Sequence, residues 1–449
     1  MYCNPIKEKI TFTIIHARIF YTFAIMHTTT KNNHTIEIMA PVGSRESLMA
    51  AIQGGADAVY FGIGKLNMRS RSSVNFTIDD LADITEICKE HGIKSYLTLN
   101  TVVYDNEIDE VNTLLAAAKK HHIDAVIASD WAVIQQAAAM GIEVHISTQC
   151  NVTNIEAVRF FSRYADVMVT ARELNLKQVA NIIKQIHKEQ IKGPSGELIQ
   201  IEVFAHGALC MAISGKCYLS LDNFGYSANR GACLQPCRRL YNVKDVDNEV
   251  ELLVNEQYIF SPKDLCTIGF LDKIMEAGVS VLKIEGRGRS PEYVKRVCRC
   301  YREAVEAFFD GSYGEEKVNS WMEQLRSVYN RDFWDGYYLG KKMGEWTNRY
   351  GSQAIKTKVY IGKVTNFFPK ISVVEIYIEG PSLKVGHEIL IIGPTTGVYE
   401  DTVTEIRVDL KPCNKAETGV FCSLPTHAVL RRNDKVYVLV TACDAEEFL

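Results

Sequence analysis

The chain has 449 residues, of which 47% are apolar and 23% are charged, and its formal net charge is −4 at pH 7. This length predicts two or three domains with sizeable cores. The charge argues against a protein that binds nucleic acid through an overall basic excess, although local basic patches remain compatible with RNA binding. Thirteen cysteines without a credible secretory signal favour metal ligation or redox chemistry over a disulfide framework.

Residues 1–35 are predicted to be an N-terminal extension outside the folded domains. Residues 10–26 are apolar, but His16 and Arg18 interrupt the run and no small-residue cleavage site follows. These features disfavour both a signal peptide and a membrane span. We expect translation to begin at Met26, which would make the upstream residues an artefact, and we expect a cytoplasmic protein.

Eight short runs rich in β-branched residues follow from Ile36 and alternate with amphipathic stretches. Over residues 36–310 this alternation predicts an α/β fold, a (β/α)8 TIM-like barrel. A doubly wound open sheet is the alternative. The predicted strands are 37–41, 57–63, 94–100, 125–130, 143–148, 166–171, 202–207 and 281–286.

Three further segments follow the seventh strand. Residues 208–262 are predicted to be an insertion between strands seven and eight, on the C-terminal face where barrel enzymes build their active sites. Residues 311–356 are predicted to be a helical, aromatic-rich connector. Residues 357–449 alternate apolar and polar side chains between Gly and Pro turns, which predicts a small all-β barrel domain.

The insertion contains four closely spaced cysteines. If either pair lies on a helix, spacings of seven and four residues put both sulfurs of that pair on one face. Four thiolates suit either a [4Fe–4S] cluster or a zinc ion held by four cysteines, and spacing alone does not separate the two. Buried apolar cysteines are the alternative, and Cys266 is a possible substitute ligand. The four candidate ligands are Cys210, Cys217, Cys233 and Cys237.

Polar side chains follow most of the predicted strands, and the C-terminal ends of barrel strands meet at one mouth. Each has an alternative role as a helix cap or a structural ion pair, so we expect about half to contact substrate. The candidate catalytic residues are Arg69, Arg71, Asn75, His206, Glu285 and Arg287. Further candidates are Asn100, Ser129, Asp130, Ser147, Thr148, Gln149, Arg172 and Glu173.

Segment 285–294 (EGRGRSPEYV) predicts an anion site. Its glycines permit close backbone approach, and Ser290 followed by Pro291 is typical of a helix start. A helix N-terminus beside Arg287 and Arg289 suits a phosphate or a carboxylate, whereas a loop with solvated arginines is the alternative. Arg238 and Arg239 directly follow Cys237, the last of the four cysteines of the insertion. They could attract RNA phosphates.

Motifs of several enzyme classes are absent. The sequence has no HExxH, GxSxG or Walker A motif, and the GxG at 286–288 lacks the third glycine of a dinucleotide fingerprint.

Four segments resemble the collagenase-like peptidases, also called unassigned peptidase family 32. They are APVGSRESLMAAIQGGADAVYFG, EVFAHGALCMAISGKCYLS, ANRGACLQPCR and SVLKIEGRGRSPEYV, and they span about residues 36–310. Downstream, YNRDFWDGYYLGK and GKVTNFFPKI…LKVGHEILIIGPTTG resemble the branch of the family that hydroxylates tRNA uridines.

The resemblance implies a fuller function. It implies a [4Fe–4S] cluster on the four cysteines of the insertion, with Cys266 outside the matched pattern. It also implies hydroxylation at carbon 5 of the wobble uridine in the tRNA anticodon loop, with prephenate rather than dioxygen as the oxygen source. Because prephenate is a dicarboxylate, we expect Arg69, Arg71 or Arg287 to bind it. The base would flip into the barrel mouth, and the C-terminal domain would grip the tRNA or serve only as a cap.

Two other functions remain open at this point. The family name asserts a peptidase, although no nucleophile–base pair is recognisable. Relatives that assist ubiquinone hydroxylation suggest a non-catalytic iron–sulfur partner of another hydroxylase.

Overall fold

The computed structural model describes residues 36–71, 75–241, 260–341 and 344–444. The predicted N-terminal extension and part of the predicted insertion, 242–259, lie outside these ranges. The predicted α/β barrel is confirmed. Its eight strands are β1 (Glu37–Pro41), β2 (Ala58–Gly62), β3 (Lys94–Leu99), β4 (Ala125–Ala128), β5 (Glu143–Ile146), β6 (Val167–Val169), β7 (Gln200–Ala208) and β9 (Val281–Ile284).

Each barrel strand pairs in parallel with its neighbours, and the sheet closes on itself. Strand β9 pairs with β1 through Val281 and Glu37, and with β7 through Val281 and Glu202. This closure excludes the doubly wound open sheet. Alternate side chains point inwards and form the barrel core; they include Met39, Ala58, Tyr60, Tyr96, Ala125, Ile127, Val167 and Val281.

Helices cover the outside of the barrel because the segments between strands bury one apolar face. The sixth helix buries residues three or four positions apart, from Val179 to Ile186, and begins with a capping box of Asn175 and Gln178. The helices are α1 (Arg45–Gln53), α2 (Leu81–Glu90), α3 (Ile108–Lys120), α4 (Trp131–Ala139), α5 (Ile155–Phe161), α6 (Leu176–Glu189), α7 (Leu219–Phe224), α8 (Leu271–Glu276), α9 (Pro291–Phe309) and α10 (Glu315–Ser327).

Two short strands extend the barrel sheet and were not predicted. Strand β8 (Asp264–Cys266) runs antiparallel to the end of β7, and β10 (Phe333–Trp334) runs parallel to β8. They are too short to give a periodic pattern, and their pairing depends on β7 projecting beyond the barrel. The predicted eighth barrel strand is shorter than expected, since it ends at Ile284 and Gly286 has φ 154°.

The C-terminal domain is an antiparallel β structure with its own core. Its strands are β11 (Lys356–Phe368), β12 (Val373–Ile378), β13 (Leu383–Lys384), β14 (Glu388–Gly393), β15 (Gly397–Thr402), β16 (Ile406–Val408), β17 (Lys411–Cys413), β18 (Lys415–Ala416), β19 (Phe421–Pro425) and β20 (Lys435–Thr441). Eight of them form one sheet in the order β15-β14-β20-β11-β12-β19-β16-β17. Ile361, Ile376, Ile391, Leu424 and Val438 lie in its core.

This domain docks on the side of the barrel, against α1 and α9. Gln53 at the end of α1 donates to the carbonyl of Thr396 at 2.8 Å and accepts from the amide of Val398 at 2.9 Å. Lys295 on α9 binds Glu400 at 3.1 Å. Among the described residues, no helix is long and apolar enough to cross a membrane.

Candidate active site

A cavity of about 240 Å³ opens at the C-terminal end of the barrel. Loops that follow β2, β3, β5, β6, β7 and β9 line its walls, as expected where the ends of parallel strands converge. The floor consists of inward-facing strand residues, Tyr60, Ile127, Phe204 and Lys283. Its volume lies just below the ~300–1,000 Å³ usual for small-molecule sites.

The lining of the pocket is strongly cationic. Seven basic side chains line it, whereas Glu285 is the only carboxylate in the described lining. Within the described residues, three of the seven have no carboxylate within ion-pair distance, which leaves an excess of positive charge. A desolvated group of cations of this kind favours an anionic ligand. The seven are Arg69, Arg172, Arg238, Lys283, Arg287, Arg289 and Arg331.

Arg69 and Glu285 form an ion pair across the mouth. The Arg69 Nη2 and Nε atoms lie 2.5 Å and 3.1 Å from Glu285 Oε1. The Tyr60 hydroxyl lies 3.3 Å from the other carboxylate oxygen. Burial by itself raises the pKa of Glu285, but Arg69, with Arg287 and Arg172, outweighs it and lowers this pKa to about 2. Glu285 is therefore ionised at neutral pH and acts as a hydrogen-bond acceptor.

Arg287 is a buried guanidinium with few partners. Its Nη1 donates to Thr98 Oγ1 at 3.0 Å, and only 5% of the residue is exposed. Burial lowers its pKa to about 10, so it remains cationic at neutral pH. The guanidinium packs directly on the Cα of Gly62, where a β-carbon would also lie 2.6 Å from Asn67 Cγ. Gly62 thus makes room for Arg287.

Arg289 and Arg331 share a carboxylate on the extra strand β8. Arg331 Nη1 lies 3.4 Å from Asp264 Oδ1, and Arg289 Nη2 lies 4.0 Å from Asp264 Oδ2. The Arg289 guanidinium also stacks on Tyr329, 3.6 Å from the ring centroid. Since one carboxylate serves two arginines, this wall keeps a net positive charge.

Lys283 forms a buried ion pair below the mouth. Its Nζ lies 2.7 Å from Glu202 Oε1 and 4.7 Å from the centre of the Tyr60 ring. Glu202 is fully buried, and its other oxygen, Oε2, has no hydrogen-bond partner within the described part of the chain. Burying a carboxylate oxygen without a hydrogen-bond partner is energetically unfavourable. At the floor of the pocket, Glu202 Oε2 can therefore still accept a hydrogen bond.

All four cysteines of the insertion line the same pocket and are free thiols. Burial, with smaller contributions from Cys210 and Cys233, raises the pKa of Cys217. Burial raises the pKa of Cys237 to about 11, against the effect of Arg238. Among the described residues, no group of three or more His, Cys, Asp or Glu could hold a single metal ion as placed. The thiols therefore share one wall without forming a closed single-ion site.

Several contacts hold the insertion over the mouth. Arg172 Nε donates to Ser214 Oγ at 3.1 Å, and Arg230 binds Glu107 at 2.7 Å. Gly231 has φ 75° and packs against the carbonyl of Asn67, which leaves no space for a side chain. Barrel loops thus position the cysteine-bearing segment.

The structure brings some of the predicted residues together and separates others. Arg69, Glu285 and Arg287 line the pocket, but Arg71 lies outside it and stacks on Tyr226. Asn75 also lies outside and donates to the carbonyl of Ser70 at 2.9 Å. The secondary candidates Asn100, Ser147, Thr148, Gln149 and Arg172 line the pocket as well.

His206 lies behind the pocket rather than in it. It is 1% exposed, is surrounded by the rings of Tyr293, Tyr301 and Phe333, and its Nδ1 lies 3.4 Å from the Tyr301 hydroxyl. Burial, reinforced by Arg289, lowers its pKa to about 3. It is therefore a neutral packing residue in this structure.

Other predicted polar residues have structural roles. Asp130 caps α4 by accepting from Ala132 at 2.9 Å, and Ser129 donates to the carbonyl of Asn100 at 2.9 Å. Glu173 is exposed. Arg238 lines the pocket but donates to the carbonyls of Pro262 and Leu209 at 2.7 Å and 3.0 Å, so it braces the insertion. Arg239 lies on the surface beside Phe224.

Sequence reasoning missed Lys283 and Arg331. Lys283 stands two residues before Glu285 in the predicted strand 281–286, so strand periodicity places both on the same face and could have identified Lys283. Arg331 belongs to the connector, and only the pairing of β10 with β8 brings it to the pocket.

Comparison with known proteins finds relatives that cover most of the chain. The chain is 56% identical over 406 residues to a protein named "Collagenase" from Porphyromonas gingivalis, covering 90% of this chain and 98% of that one. It is 32% identical to "tRNA hydroxylation protein P1" from Bacillus subtilis, covering 82% and 86%. It is 35% identical to the 23S rRNA 5-hydroxycytidine synthase of Escherichia coli, covering 63% and 41%. The model of peptidase family U32 matches residues 43–348, and the chain belongs to that family.

Proposed function

We propose that this protein is an iron–sulfur enzyme that hydroxylates carbon 5 of the wobble uridine in tRNA, with prephenate as co-substrate. The observation that carries the proposal is a small, cationic pocket at the barrel mouth with four free cysteines in its wall. Relatives named for tRNA and rRNA hydroxylation, each more than 30% identical, support the choice of RNA as substrate.

The donor set of the pocket is compatible with a cluster. Four free cysteines line one cavity, and a [4Fe–4S] cluster takes four thiolates, each bound to a different iron. Cys210, Cys217, Cys233 and Cys237 would hold the cluster, which would supply electron transfer beside the substrate.

The arginines would hold the anionic co-substrate. Arg287 and Arg172 carry charges that no described carboxylate balances at ion-pair distance, and both face the cavity. A planar guanidinium binds a carboxylate through two parallel hydrogen bonds, which suits the two carboxylates of prephenate. Arg71, which lies outside the cavity, is not assigned to this role.

Glu285 would orient the base. It stays ionised because Arg69 holds its pKa at about 2, so it accepts hydrogen bonds and does not act as a proton donor. A uracil ring flipped from a single-stranded loop presents an imide N–H that can donate a hydrogen bond to such a carboxylate. The mouth would then exclude water once the base covers it.

The peptidase named by the family is the second candidate. A cysteine peptidase needs a histidine near its nucleophile, and the described lining of this pocket contains no histidine. Digestion of gelatin by protein purified without air tests this candidate. A non-catalytic partner role is tested by whether the purified protein hydroxylates tRNA without a second protein.

The deciding experiment measures 5-hydroxyuridine and its derivatives in total tRNA by mass spectrometry. We expect a strain without this gene, and without a redundant hydroxylase, to lose these nucleosides. The wild-type gene and Cys443→Ala, an exposed cysteine of the C-terminal domain, should restore them, whereas Cys217→Ala should not. Iron and sulfide analysis of the same variants tests the cluster separately. Unchanged nucleosides in the deletion strain would refute the proposal and point to ribosomal RNA or to peptides.

A further inference from the structure

Three arginine–aromatic stacks surround the entrance of the pocket; we call them the rim stacks. In each, a guanidinium covers one part of an aromatic ring while the ring stays exposed to solvent. The pairs are Arg230 over Tyr104 at 4.1 Å, Arg71 over Tyr226 at 4.4 Å, and Arg239 over Phe224 at 4.9 Å from the ring centroid.

The chain places the rim stacks around the mouth rather than elsewhere on the surface. Tyr104 follows β3, whose end contributes Asn100 to the cavity. Phe224 and Tyr226 lie at the end of α7, which begins with the lining residue Leu219. One ring thus lies on a barrel loop and two lie on the insertion, and both segments contribute residues to the cavity.

The rings of the rim stacks are all exposed to solvent. Tyr104 is 56% exposed, Phe224 38% and Tyr226 37%. Tyr218, directly after the ligand candidate Cys217, is 74% exposed on the same insertion. Several exposed aromatic rings around one pocket indicate a binding surface.

The charge of the rim complements a polyanion. Arg71 and Arg239 make no ion pair within 4.0 Å with any residue that the structure describes, and Arg230 is held in place by Glu107. The pocket below adds three cations without such a partner. In a chain of net charge −4, positive charge is thus concentrated at this face. Rings beside arginines match how proteins bind single-stranded nucleic acid, by stacking on bases and attracting phosphates.

We propose that the rim stacks bind the unpaired nucleotides flanking the base that enters the pocket, with Tyr104, Phe224 and Tyr226 as stacking platforms. This inference rests on the proposed function and adds to it the surface that recognises the RNA. It requires a single-stranded loop, because bases in a duplex are already stacked on each other. The same surface would discriminate against fully paired RNA.

The test is the affinity of the cluster-containing protein for an end-labelled anticodon stem-loop, measured by fluorescence anisotropy. Tyr104→Leu, Phe224→Leu and Tyr226→Leu keep an apolar side chain but remove the ring. Base–aromatic stacking contributes about 1–3 kcal/mol per base, so each substitution should raise Kd about 5- to 150-fold. A fully paired RNA of the same length should bind weakly and equally to all variants.

Phe309→Leu is the matched control. Phe309 is 53% exposed at the C-terminal end of α9, and this helix runs antiparallel to the strands, so the residue lies at the opposite end of the barrel from the mouth. The Kd of Phe309→Leu for the anticodon stem-loop should equal that of the wild type. Iron content and melting temperature establish that each variant is folded.

The possible outcomes separate this inference from the function it rests on. Loss of affinity confined to the three rim variants supports it. Wild-type affinity in all three variants overturns it, even if the enzyme hydroxylates tRNA. A wild-type protein that binds no stem-loop overturns the proposed function as well. Rim variants that lose affinity for gelatin peptides instead of RNA overturn the inference in favour of a protein partner.

Discussion

Gly62 offers a direct test of the role of Arg287, because a single added methyl group there occupies the space of the guanidinium. The β-carbon of Gly62→Ala would lie 2.6 Å from Asn67 Cγ and closer still to Arg287 Nη1, whereas ordinary contacts are 3.4–4 Å. The neighbouring side chains must therefore retreat by nearly 1 Å. Gly62 has no positive φ that would add backbone strain.

The expected effect is on binding of the anionic co-substrate. If Arg287 loses one charge-assisted hydrogen bond, the loss is about 1.5–3 kcal/mol, which corresponds to a KM for prephenate about 10- to 150-fold higher. A displacement of this size can also lower kcat, since ~1 Å of misplacement can cost about 100-fold in rate. The assay is hydroxylation of unmodified tRNA by purified protein at varied prephenate concentration.

Gly269→Ala is the control for this substitution. Among the described residues, its β-carbon would meet only Val318 Cγ1, at 3.9 Å, which is an ordinary contact. The KM of the Gly269→Ala enzyme for prephenate should match that of the wild type. A Gly62→Ala enzyme with unchanged KM and kcat would refute the assignment of Arg287 to the co-substrate.

Two further predictions concern buried charges. Because Arg69 lowers the pKa of Glu285 to about 2, the folded state binds fewer protons than the unfolded chain; Glu285 should contribute about 3 kcal/mol above pH ~4.5, lost as the pH falls towards 2. The free energy of unfolding of Glu285→Gln should therefore approach that of the wild type in acid, and a constant difference between pH 6 and 3 would contradict this. Lys283→Met should destabilise the fold by about 3–5 kcal/mol because it leaves Glu202 buried without its ion-pair partner. Adding Glu202→Leu should recover most of that loss, as urea unfolding would reveal.

The barrel was predictable because its evidence is local. Eight β-branched runs alternate with amphipathic helices, and each run becomes a strand within two residues of its predicted bounds. Burial on both faces of a parallel strand demands such residues wherever the strand lies. The insertion was also predictable from the sequence, because it interrupts the alternation of strands and helices and contains four cysteines.

The division of polar residues between pocket and scaffold was not predictable in the same way. Arg71 follows a strand just as Arg69 and Glu285 do, yet it turns out to the rim. His206 lies within β7, where the register with β9 shifts between Phe204 and His206, and it faces the aromatic cluster behind β7. A side chain one residue further along a loop can point in another direction, and strand periodicity ends where the strand ends. The contribution of Arg331 depends on β10, a two-residue strand without a pattern of its own.

The sequence by itself determined the order of strands and helices, the position of the cysteine segment at the barrel mouth and the grouping of the cysteines, because periodicity and spacing are properties of neighbouring residues. Only the tertiary structure decided which cations remain without an ion-pair partner and which rings remain exposed. The physical reason is that charge compensation acts through space and falls with distance: Arg69 is balanced by Glu285, 216 positions away in the chain, whereas Arg287, two residues from that carboxylate, forms no ion pair with it among the described contacts.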